Sequence, residues 1–255
     1  MISINKAWRI IVTGFCFIFF SFSASLLGYI YFPIINKLNK DKEKVAKKSQ
    51  YAIHIGFKLF IAILHYSRCI NFNFKGIDKL LEDEGCLFVS NHPTLIDYVA
   101  IISKLPRCDN IVKQDLWENP YFKNVIQSAG YIPNIKPEQT LARLKEIFSE
   151  GRNLLVFPEG TRTKPGEPIL LKRGAAVLSL RTGASIRMIH LDCNPITLTK
   201  NTKWFNIPDR MPTISVVVGD KIDPQKFLDD ANNLPSIASR RLTKYLQEQM
   251  SKKLL

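Results

Sequence analysis

The sequence predicts an α/β fold with a mixed, largely parallel central sheet flanked by helices, preceded by an N-terminal membrane helix and an interfacial helix. Three observations carry this prediction. An uncharged apolar stretch lies near the amino terminus, a lysine-rich segment follows it, and beyond residue 70 strand-length apolar runs alternate with helix-length segments. We therefore expect two parts, a membrane-anchoring segment over residues 1–69 and an α/β domain over residues 70–255.

The apolar stretch contains no charged residue from Ile10 to Asn36. About 20 apolar residues suffice for a helix to cross a hydrocarbon core roughly 30 Å thick. We expect a helix over about residues 10–36 that either spans the bilayer or buries in one leaflet. A signal peptide fits less well, because the run exceeds the roughly 7–15 residues of a signal core and leads into lysines rather than a small-residue cleavage site.

The segment after this helix is basic. Only Lys6 and Arg9 precede the apolar run, whereas six lysines and two acidic residues follow it: Lys37, Lys40, Lys42, Lys44, Lys47, Lys48, Asp41 and Glu43. This bias predicts that the domain over residues 70–255 faces the cytoplasm from the inner (cytoplasmic) membrane.

A second apolar segment is interrupted by charged and titratable residues, namely His54, Lys58, His65 and Arg68. We interpret it as an interfacial helix over about residues 51–69, with its polar side chains reaching water. An amphipathic helix packed on the core is the alternative.

The strands and helices of residues 70–255 are predicted from the periodicity of the apolar residues. Strands are expected at Ile70–Phe74, Cys86–Ser90, Asn110–Lys113, Asn153–Phe157, Ile186–Asp192 and Thr213–Val218. Helices are expected at Thr94–Lys104, Pro120–Ala129, Pro137–Glu150 and Leu171–Thr182, with one or two more over residues 223–255. Active sites of such folds lie in the loops beyond the carboxyl ends of the strands.

Composition limits the partners. The formal net charge is +14, which indicates an anionic partner such as a membrane surface or a phosphorylated substrate. The basic residues do not alternate with aromatic ones, so no nucleic-acid partner is expected. Five scattered cysteines without a C-x-x-C pair suggest neither a disulfide framework nor a metal site.

The first candidate loop reads Asn91-His-Pro-Thr-Leu-Ile-Asp-Tyr98 and follows an expected buried strand. His92 and Asp97 at this spacing can form a dyad in which the carboxylate orients the imidazole and the free ring nitrogen removes a proton from a hydroxyl. No nucleophile elbow accompanies them, which favours direct attack by an external alcohol without an acyl-enzyme. A polar turn capped by Thr94 explains the same residues.

The second candidate loop reads Pro158-Glu-Gly-Thr-Arg-Thr-Lys-Pro-Gly166 and follows the expected strand 153–157. Gly160 permits close backbone approach, Thr161 offers a hydroxyl, and Arg162 offers a planar fork that suits a phosphate. An ordinary charged loop is the alternative interpretation.

The two loops together resemble the motifs of the glycerolipid acyltransferase superfamily. The run NHPTLID resembles its N-H-x-x-x-x-D motif, FPEGTRT resembles its F-P-E-G-T-R-S block, and LKRGAA resembles the run that follows that block. The resemblance covers roughly residues 70–220. It implies a membrane enzyme that moves an acyl group from a thioester, acyl-CoA or an acyl carrier protein, to the hydroxyl of a lipid-like acceptor, without a cofactor.

The resemblance also implies roles for individual residues. His92 would be the general base and Asp97 its orienting partner. Acceptor binding would fall to Glu159, Gly160, Thr161 and Arg162, with Lys113 as a further basic contact.

Two departures from the family pattern bear on the acceptor. The run Gly130-Tyr-Ile-Pro-Asn134 lacks the arginine of the family's G-x-x-F-I-x-R block, and Ile186–Leu191 lacks the proline of its V-P-V block. The segments CNPITLTK and KWFNIP resemble a bacterial branch that works beside acyl-carrier-protein machinery for special lipids such as aryl polyenes. Two alternatives stay open: a lysophosphatidic acid acyltransferase of ordinary phospholipid synthesis, and a non-catalytic membrane-anchored module that binds lipid or a carrier protein.

Overall fold

The computed structural model describes residues 4–134 and 137–252. A seven-stranded sheet with the order β1-β7-β6-β2-β5-β3-β4 forms its centre. Of the neighbouring pairs only β6 and β7 run antiparallel, which confirms the predicted mixed, largely parallel sheet. The strands are β1 Asn71–Lys75, β2 Leu87–Ser90, β3 Asp109–Val112, β4 Ile132–Pro133, β5 Leu154–Val156, β6 Ile186–Asn194 and β7 Thr213–Ile222.

The helices cover both faces of the sheet. They are α1 Ile4–Leu26, α2 Phe32–Leu38, α3 Lys42–Tyr66, α4 Ile77–Glu82, α5 Asp97–Ile102, α6 Gln114–Glu118, α7 Lys123–Ser128, α8 Pro137–Ser149, α9 Gly174–Thr182, α10 Gln225–Asp229 and α11 Pro235–Ser251. Alternate side chains of β2 point to opposite faces of the sheet and belong to two hydrophobic cores. Phe88 packs with residues of α3 and α5, whereas Leu87 and Val89 pack with residues of α8, α9 and α11.

The amino-terminal helix is longer than predicted. A π-helical turn, Leu27–Tyr31, joins α1 to α2, so that helix runs from Ile4 to Leu38 rather than over about residues 10–36. It is long and apolar enough to cross a membrane by length and composition. Large apolar side chains along it are exposed, among them Ile4, Trp8, Ile11, Phe15, Ile18 and Phe22.

The second helix, α3, begins nine residues before the expected interfacial helix. Asp41 caps it, since its Oδ1 accepts hydrogen bonds from the backbone N–H groups of Glu43 and Lys44. The lysine-rich segment is therefore partly helical. One side of α3 is buried, including the polar Gln50 and His54, while Tyr51 is 55% exposed. This helix thus combines the packed side of the amphipathic alternative with exposed apolar residues.

Polar contacts tie the helical pair, formed by helix 4–38 and α3, to the sheet and to residues 195–212 after β6. At the amino ends of the strands, the buried guanidinium of Arg152 donates to both carboxylate oxygens of Asp109 at 2.9 and 2.6 Å and to Glu43 of α3 at 3.2 Å. At the start of α1, Arg9 is 4% exposed and donates to the carbonyls of Pro208 and Asp209.

The order of the strands brings the predicted loops together. Strands β2, β5 and β3 are neighbours and parallel, so their carboxyl ends lie on one edge of the sheet. The loops that hold His92, Arg162 and Lys113 all begin at this edge. The segment after β6, residues 195–212, begins there too, because β6 is parallel to β2.

Candidate active site

The predicted dyad is formed. His92 lies two residues after the buried strand β2, and its Nδ1 is 2.8 Å from Oδ2 of Asp97, the first residue of α5. The His92 side chain is 22% exposed and that of Asp97 is fully buried. With Nδ1–H donating to the carboxylate, the other ring nitrogen is left to accept a proton.

Asp97 also receives two hydrogen bonds from Thr94, one from the backbone N–H at 2.6 Å and one from the hydroxyl. The polar turn at Thr94 and the dyad, weighed as alternatives from the sequence, therefore exist together and share one carboxylate. Burial raises the pKa of Asp97 above its ordinary value, since desolvation outweighs the hydrogen bonds from His92 and Thr94. Thr94 was not predicted as part of the site, although its position three residues before an aspartate signals a local side-chain contact.

The second loop is joined to the first through Glu159. This side chain is 7% exposed. Its Oε1 accepts the backbone N–H of His92 at 2.8 Å and its Oε2 accepts the hydroxyl of Thr163. The backbone N–H of Thr163 donates to the carbonyl of His92 at 3.0 Å. Glu159 and Thr163 thus fix the backbone on which the imidazole is mounted.

The imidazole stacks on an aromatic ring, and the residue before it is held to the neighbouring strand β6. The ring of Phe157 stacks on His92 with centroids 4.4 Å apart. The buried side chain of Asn91 exchanges two hydrogen bonds of 2.7 Å with the backbone of Leu191 in β6. Sequence reasoning included both residues in the motifs but assigned neither a role; their direct adjacency to His92 or Pro158 was the available signal.

Three of the predicted binding residues face outward around this site. Gly160 has φ +71° and lies so close to the Nζ of Lys172 that a Cβ there would be 2.9 Å from it. Thr161 and Lys113 are exposed, and Lys113 precedes α6. The structure therefore brings Lys113 to the same edge as the dyad, without a described side-chain contact to it.

Arg162 makes a contact that the sequence did not predict. Its Nη1 donates to the carbonyls of Leu198 and Thr199 at 3.3 and 3.1 Å. The backbone N–H of Leu95, in the first loop, donates to the same Leu198 carbonyl at 2.9 Å. The segment after β6 is therefore tied to both motif loops.

The chemistry that this arrangement permits is proton abstraction from a hydroxyl at a partly exposed imidazole. Among residues 4–134 and 137–252 no group of three or more His, Cys, Asp or Glu side chains could hold a metal ion. The five cysteines are buried and free, and burial raises the pKa of Cys193 to about 11, which disfavours the nucleophilic thiolate.

A family model and several known proteins are similar in sequence to this chain. A family model described as "Acyltransferase" matches residues 71–191, which include both motif loops. A 1-acyl-sn-glycerol-3-phosphate acyltransferase of Borreliella burgdorferi is 26% identical over 70% of this chain and 70% of its own length. The chloroplastic LPAT1 of Arabidopsis thaliana, a 1-acyl-sn-glycerol-3-phosphate acyltransferase, is 29% identical over 53% of this chain and 41% of its own length.

A solved structure has the same fold along nearly the whole chain. The crystal structure of PlsC, the 1-acyl-sn-glycerophosphate acyltransferase of Thermotoga maritima, matches 99% of this chain and 100% of its own with a TM-score of 0.67 and 19% identity. The match includes the amino-terminal helices. This chain spans 36%, 41% and 51% of the lengths of three curated relatives that it matches.

Proposed function

We propose that this chain, which belongs to the glycerolipid acyltransferase superfamily, is a membrane-bound O-acyltransferase that moves an acyl group from a thioester to a hydroxyl of a lysophospholipid or other lipid-like acceptor. One observation carries the proposal: the 2.8 Å contact between a partly exposed imidazole and a fully buried carboxylate. It lies within the first motif loop, which Glu159 and Thr163 join to the second.

In the proposed reaction His92 accepts the hydroxyl proton as the acceptor oxygen attacks the thioester carbonyl. The carbon–sulfur bond of the tetrahedral intermediate then breaks, and the imidazolium returns the proton to the departing thiolate. Asp97 stabilises the imidazolium while it exists. No acyl-enzyme forms. Acyl-CoA and an acylated carrier protein are both suitable donors for this sequence of bonds.

The acceptor is proposed to bind between the second loop and Lys113. Gly160 and Thr161 are exposed, and the positive charges of Arg162 and Lys113 would attract a phosphate. Glu159 is proposed to act indirectly, since both of its oxygens hold the loops together.

His92→Ala tests the assignment of the base. The variant should lose acyl transfer from a thioester to a lysophospholipid while its thermal unfolding and membrane binding stay unchanged. The exposed His65, at the end of α3, gives the matched control, because His65→Ala removes an imidazole outside the site. Turnover by His92→Ala within tenfold of the wild type contradicts the proposal.

A lysophosphatidic acid acyltransferase is the more specific candidate. The curated relatives named above carry that activity in their names. Assays of the purified protein with labelled acyl-CoA or acylated carrier protein and lysophosphatidic acid, read as labelled phosphatidic acid by thin-layer chromatography, test it. A non-catalytic binding module instead predicts that the thioester stays intact with every acceptor.

The helical pair is proposed to anchor the protein in one leaflet of the inner membrane, with the catalytic domain in the cytoplasm. Both ends of helix 4–38 contact the domain: Lys6 pairs with Asp209 at 2.8 Å, and Asn36 donates to Ser128 at 2.8 Å. A helix that crossed the bilayer would separate these ends. The exposed apolar residues beyond the first turns of α1, namely Ile11, Phe15, Ile18 and Phe22, would then face lipid, and the end of the helix at Ile4 would lie in water beside the domain.

Introduced cysteines test the anchoring. Ile4 is 89% exposed and the five native cysteines are buried. The variant Ile4→Cys should react with an impermeant maleimide that is added on the cytoplasmic side of the membrane. The control variant Ser236→Cys, on α11, should react in the same way. Reaction of Ile4→Cys from the periplasmic side alone contradicts anchoring in one leaflet.

A further inference from the structure

A turn with two aromatic residues at its tip projects from the segment after β6. The carbonyl of Lys203 accepts a hydrogen bond from the backbone N–H of Asn206 at 2.9 Å, so Trp204 and Phe205 are the two central residues of a β-turn. Trp204 is 43% exposed and Phe205 is 46% exposed. Glycine, proline and small polar residues are usual at such positions. The geometry of the turn therefore does not account for the two exposed rings.

This aromatic turn, residues 203–206, is fixed to the domain on both of its sides. On the amino-terminal side, Arg162 of the second motif loop donates to the carbonyl of Thr199 at 3.1 Å. On the carboxyl-terminal side, Ile207 is buried and Arg9 of α1 donates to the carbonyl of Pro208 at 2.8 Å. A fixed backbone therefore presents the two rings at the surface.

Trp204 lies against α1, beside the exposed apolar side of that helix. The ring of Phe17 meets the indole edge-on, with the ring centroids 6.1 Å apart. Two carbons of the indole lie 3.1 and 3.2 Å from the position that a Cβ on Gly14 would take. Because residues three and four positions apart share one side of a helix, Gly14 lies beside Ile11 and Ile18, which are 66% and 71% exposed. The aromatic turn is therefore continuous with the apolar side of α1.

The charges around the rings are mainly positive. Lys203 is exposed, and its Nζ lies 5.5 Å from the centroid of the Phe205 ring. Asp209, the acidic residue of the stretch 200–211, pairs with Lys6 at 2.8 Å. The basic residues of this stretch are Lys200, Lys203 and Arg210. Tryptophan beside lysines whose charged ends reach outward is typical of protein surfaces at a membrane–water interface.

Two observations favour a lipid bilayer over a second protein as the partner of this surface. The helix 4–38, which the turn adjoins, is long and apolar enough for a membrane. The positive charge beside the rings complements anionic head groups.

We infer that the aromatic turn is a second membrane contact of the protein. The rings of Trp204 and Phe205 enter the interface of an anionic bilayer beside α1, and Lys203 and Arg210 contact the head groups. The inference rests on the proposed anchoring of the helical pair in one leaflet and adds a contact made by the catalytic domain itself. Because the segment 195–212 is hydrogen-bonded to both motif loops, this contact sets the distance between the active site and the head groups.

Tryptophan fluorescence tests the contact in the full-length protein. The chain has three tryptophans, and the pair Trp8→Phe and Trp117→Phe leaves Trp204 alone. This protein is added to vesicles of phosphatidylglycerol and phosphatidylethanolamine whose acyl chains carry, or do not carry, bromine close to the head group. Bromine quenches an indole that it contacts.

The matched control moves the indole to the other face of the sheet. It carries Trp204→Phe as well as the two changes above, together with Ser236→Trp. Ser236 is exposed on the first turn of α11, and α11 packs on the face of the sheet opposite to α3.

Brominated lipid should lower the fluorescence of Trp204 by about half or more, because an indole at the interface lies beside the first carbons of the acyl chains. The fluorescence of Ser236→Trp should stay unchanged. Lys203→Gln should weaken binding to these vesicles by about fivefold, the effect of one basic residue near an anionic surface. Lys244→Gln, at an exposed lysine of α11, should bind like the wild type in vesicle flotation.

Fluorescence of Trp204 that brominated lipid leaves unchanged would overturn the inference, and it is the result expected if a second copy of the chain or another protein covers the rings. Equal binding of Lys203→Gln and the wild type would overturn the contact with head groups.

A further protein, Phe15→Trp without the three native tryptophans, distinguishes failure of the inference from failure of the proposed anchoring. Phe15 is 56% exposed on α1. Quenching of Phe15→Trp without quenching of Trp204 rejects the aromatic turn and leaves the anchoring by α1, whereas quenching in neither protein rejects both. Acyl transfer is measured separately and does not enter the fluorescence.

Discussion

Replacement of Asp97 by asparagine separates two effects of this carboxylate on His92. The carboxylate orients the imidazole through the 2.8 Å hydrogen bond, and its negative charge stabilises the imidazolium. In general an asparagine can reverse the tautomer of a catalytic histidine by presenting its NH₂ group to the ring. Here the surroundings of the side chain decide which way the amide turns.

The backbone N–H of Thr94 fixes that choice. It donates at 2.6 Å to the same Oδ2 that accepts from His92. An NH₂ group at the position of Oδ2 would face two donors, the Nδ1–H of His92 and the N–H of Thr94. The amide oxygen of the introduced asparagine therefore occupies this position, and the NH₂ group of the same side chain donates to the hydroxyl of Thr94. The imidazole therefore keeps its tautomer in Asp97→Asn, and only the charge is lost.

The magnitude follows from this distinction. Two unit charges roughly 4 Å apart at an effective dielectric constant of about 20 interact by about 4 kcal/mol, and a neutral hydrogen bond is weaker than a charge-assisted one by about 1 kcal/mol. We expect kcat to fall by about 10- to 1,000-fold. A reversed tautomer would cost roughly 10,000-fold. The assay is transfer from a thioester to a lysophospholipid, with Asp97→Ala as the variant that loses orientation as well.

Stability gives an independent measurement on the same variant. Because burial raises the pKa of Asp97, the folded protein binds this proton more tightly than the unfolded chain, and its stability falls as pH rises from about 3.8 through the folded pKa. Asp97→Asn lacks this titration. Its free energy of unfolding relative to the wild type should therefore be higher at pH 7 than at pH 4, as measured by urea denaturation.

A loss of 10,000-fold or more in kcat would show that the amide has turned and would refute the reasoning from Thr94. Activity within a factor of two of the wild type would refute the role of Asp97. A relative stability that is the same at pH 4 and pH 7 would contradict the direction of its pKa.

Three further outcomes are expected. Arg152→Met should lower the free energy of unfolding by about 3–5 kcal/mol, because it leaves the buried Asp109 carboxylate without its bidentate partner; a thermal midpoint lowered by about 6–20 °C checks it, and an unchanged midpoint contradicts it. Arg162→Ala should raise the acceptor KM with little change in kcat, and unaltered acceptor kinetics would exclude a phosphate contact. Thr163→Val removes one of the two contacts of Glu159 and should lower kcat more than it lowers the thermal midpoint, whereas wild-type kcat would argue against a positioning role.

Much of the fold could be predicted because its strands are short apolar runs with clear boundaries. The apolar run at 86–90 contains β2, and all four residues of this strand are buried. The helix predicted at 137–150 is α8, and Gly151 follows its end in a left-handed conformation. The pairing of the motif loops was also predictable. Parallel neighbouring strands bring their carboxyl ends to one edge wherever the exact strand boundaries fall.

The remaining features depend on contacts between distant residues. The start of α5 at Asp97 rather than at Thr94 reflects the hydrogen bonds that Thr94 makes to Asp97. The hydrogen bonds of Arg162 to residues 198 and 199 span 36 and 37 positions, and no local pattern encodes them. The two-residue β4 is too short for any periodicity to indicate.

The contact between Arg9 and the carbonyl of Pro208 joins residues 199 positions apart. At a synthesis rate of about 5–20 residues per second, roughly 10–40 seconds pass between the appearance of the guanidinium and that of its acceptor. During this interval the first helix can already pack on α3, where Phe20 lies against the rings of Phe57 and Phe60. The contact of Arg9 with Pro208 can therefore form only after the two amino-terminal helices have been able to pack together, and it joins this pair to a segment of the chain that is synthesised much later.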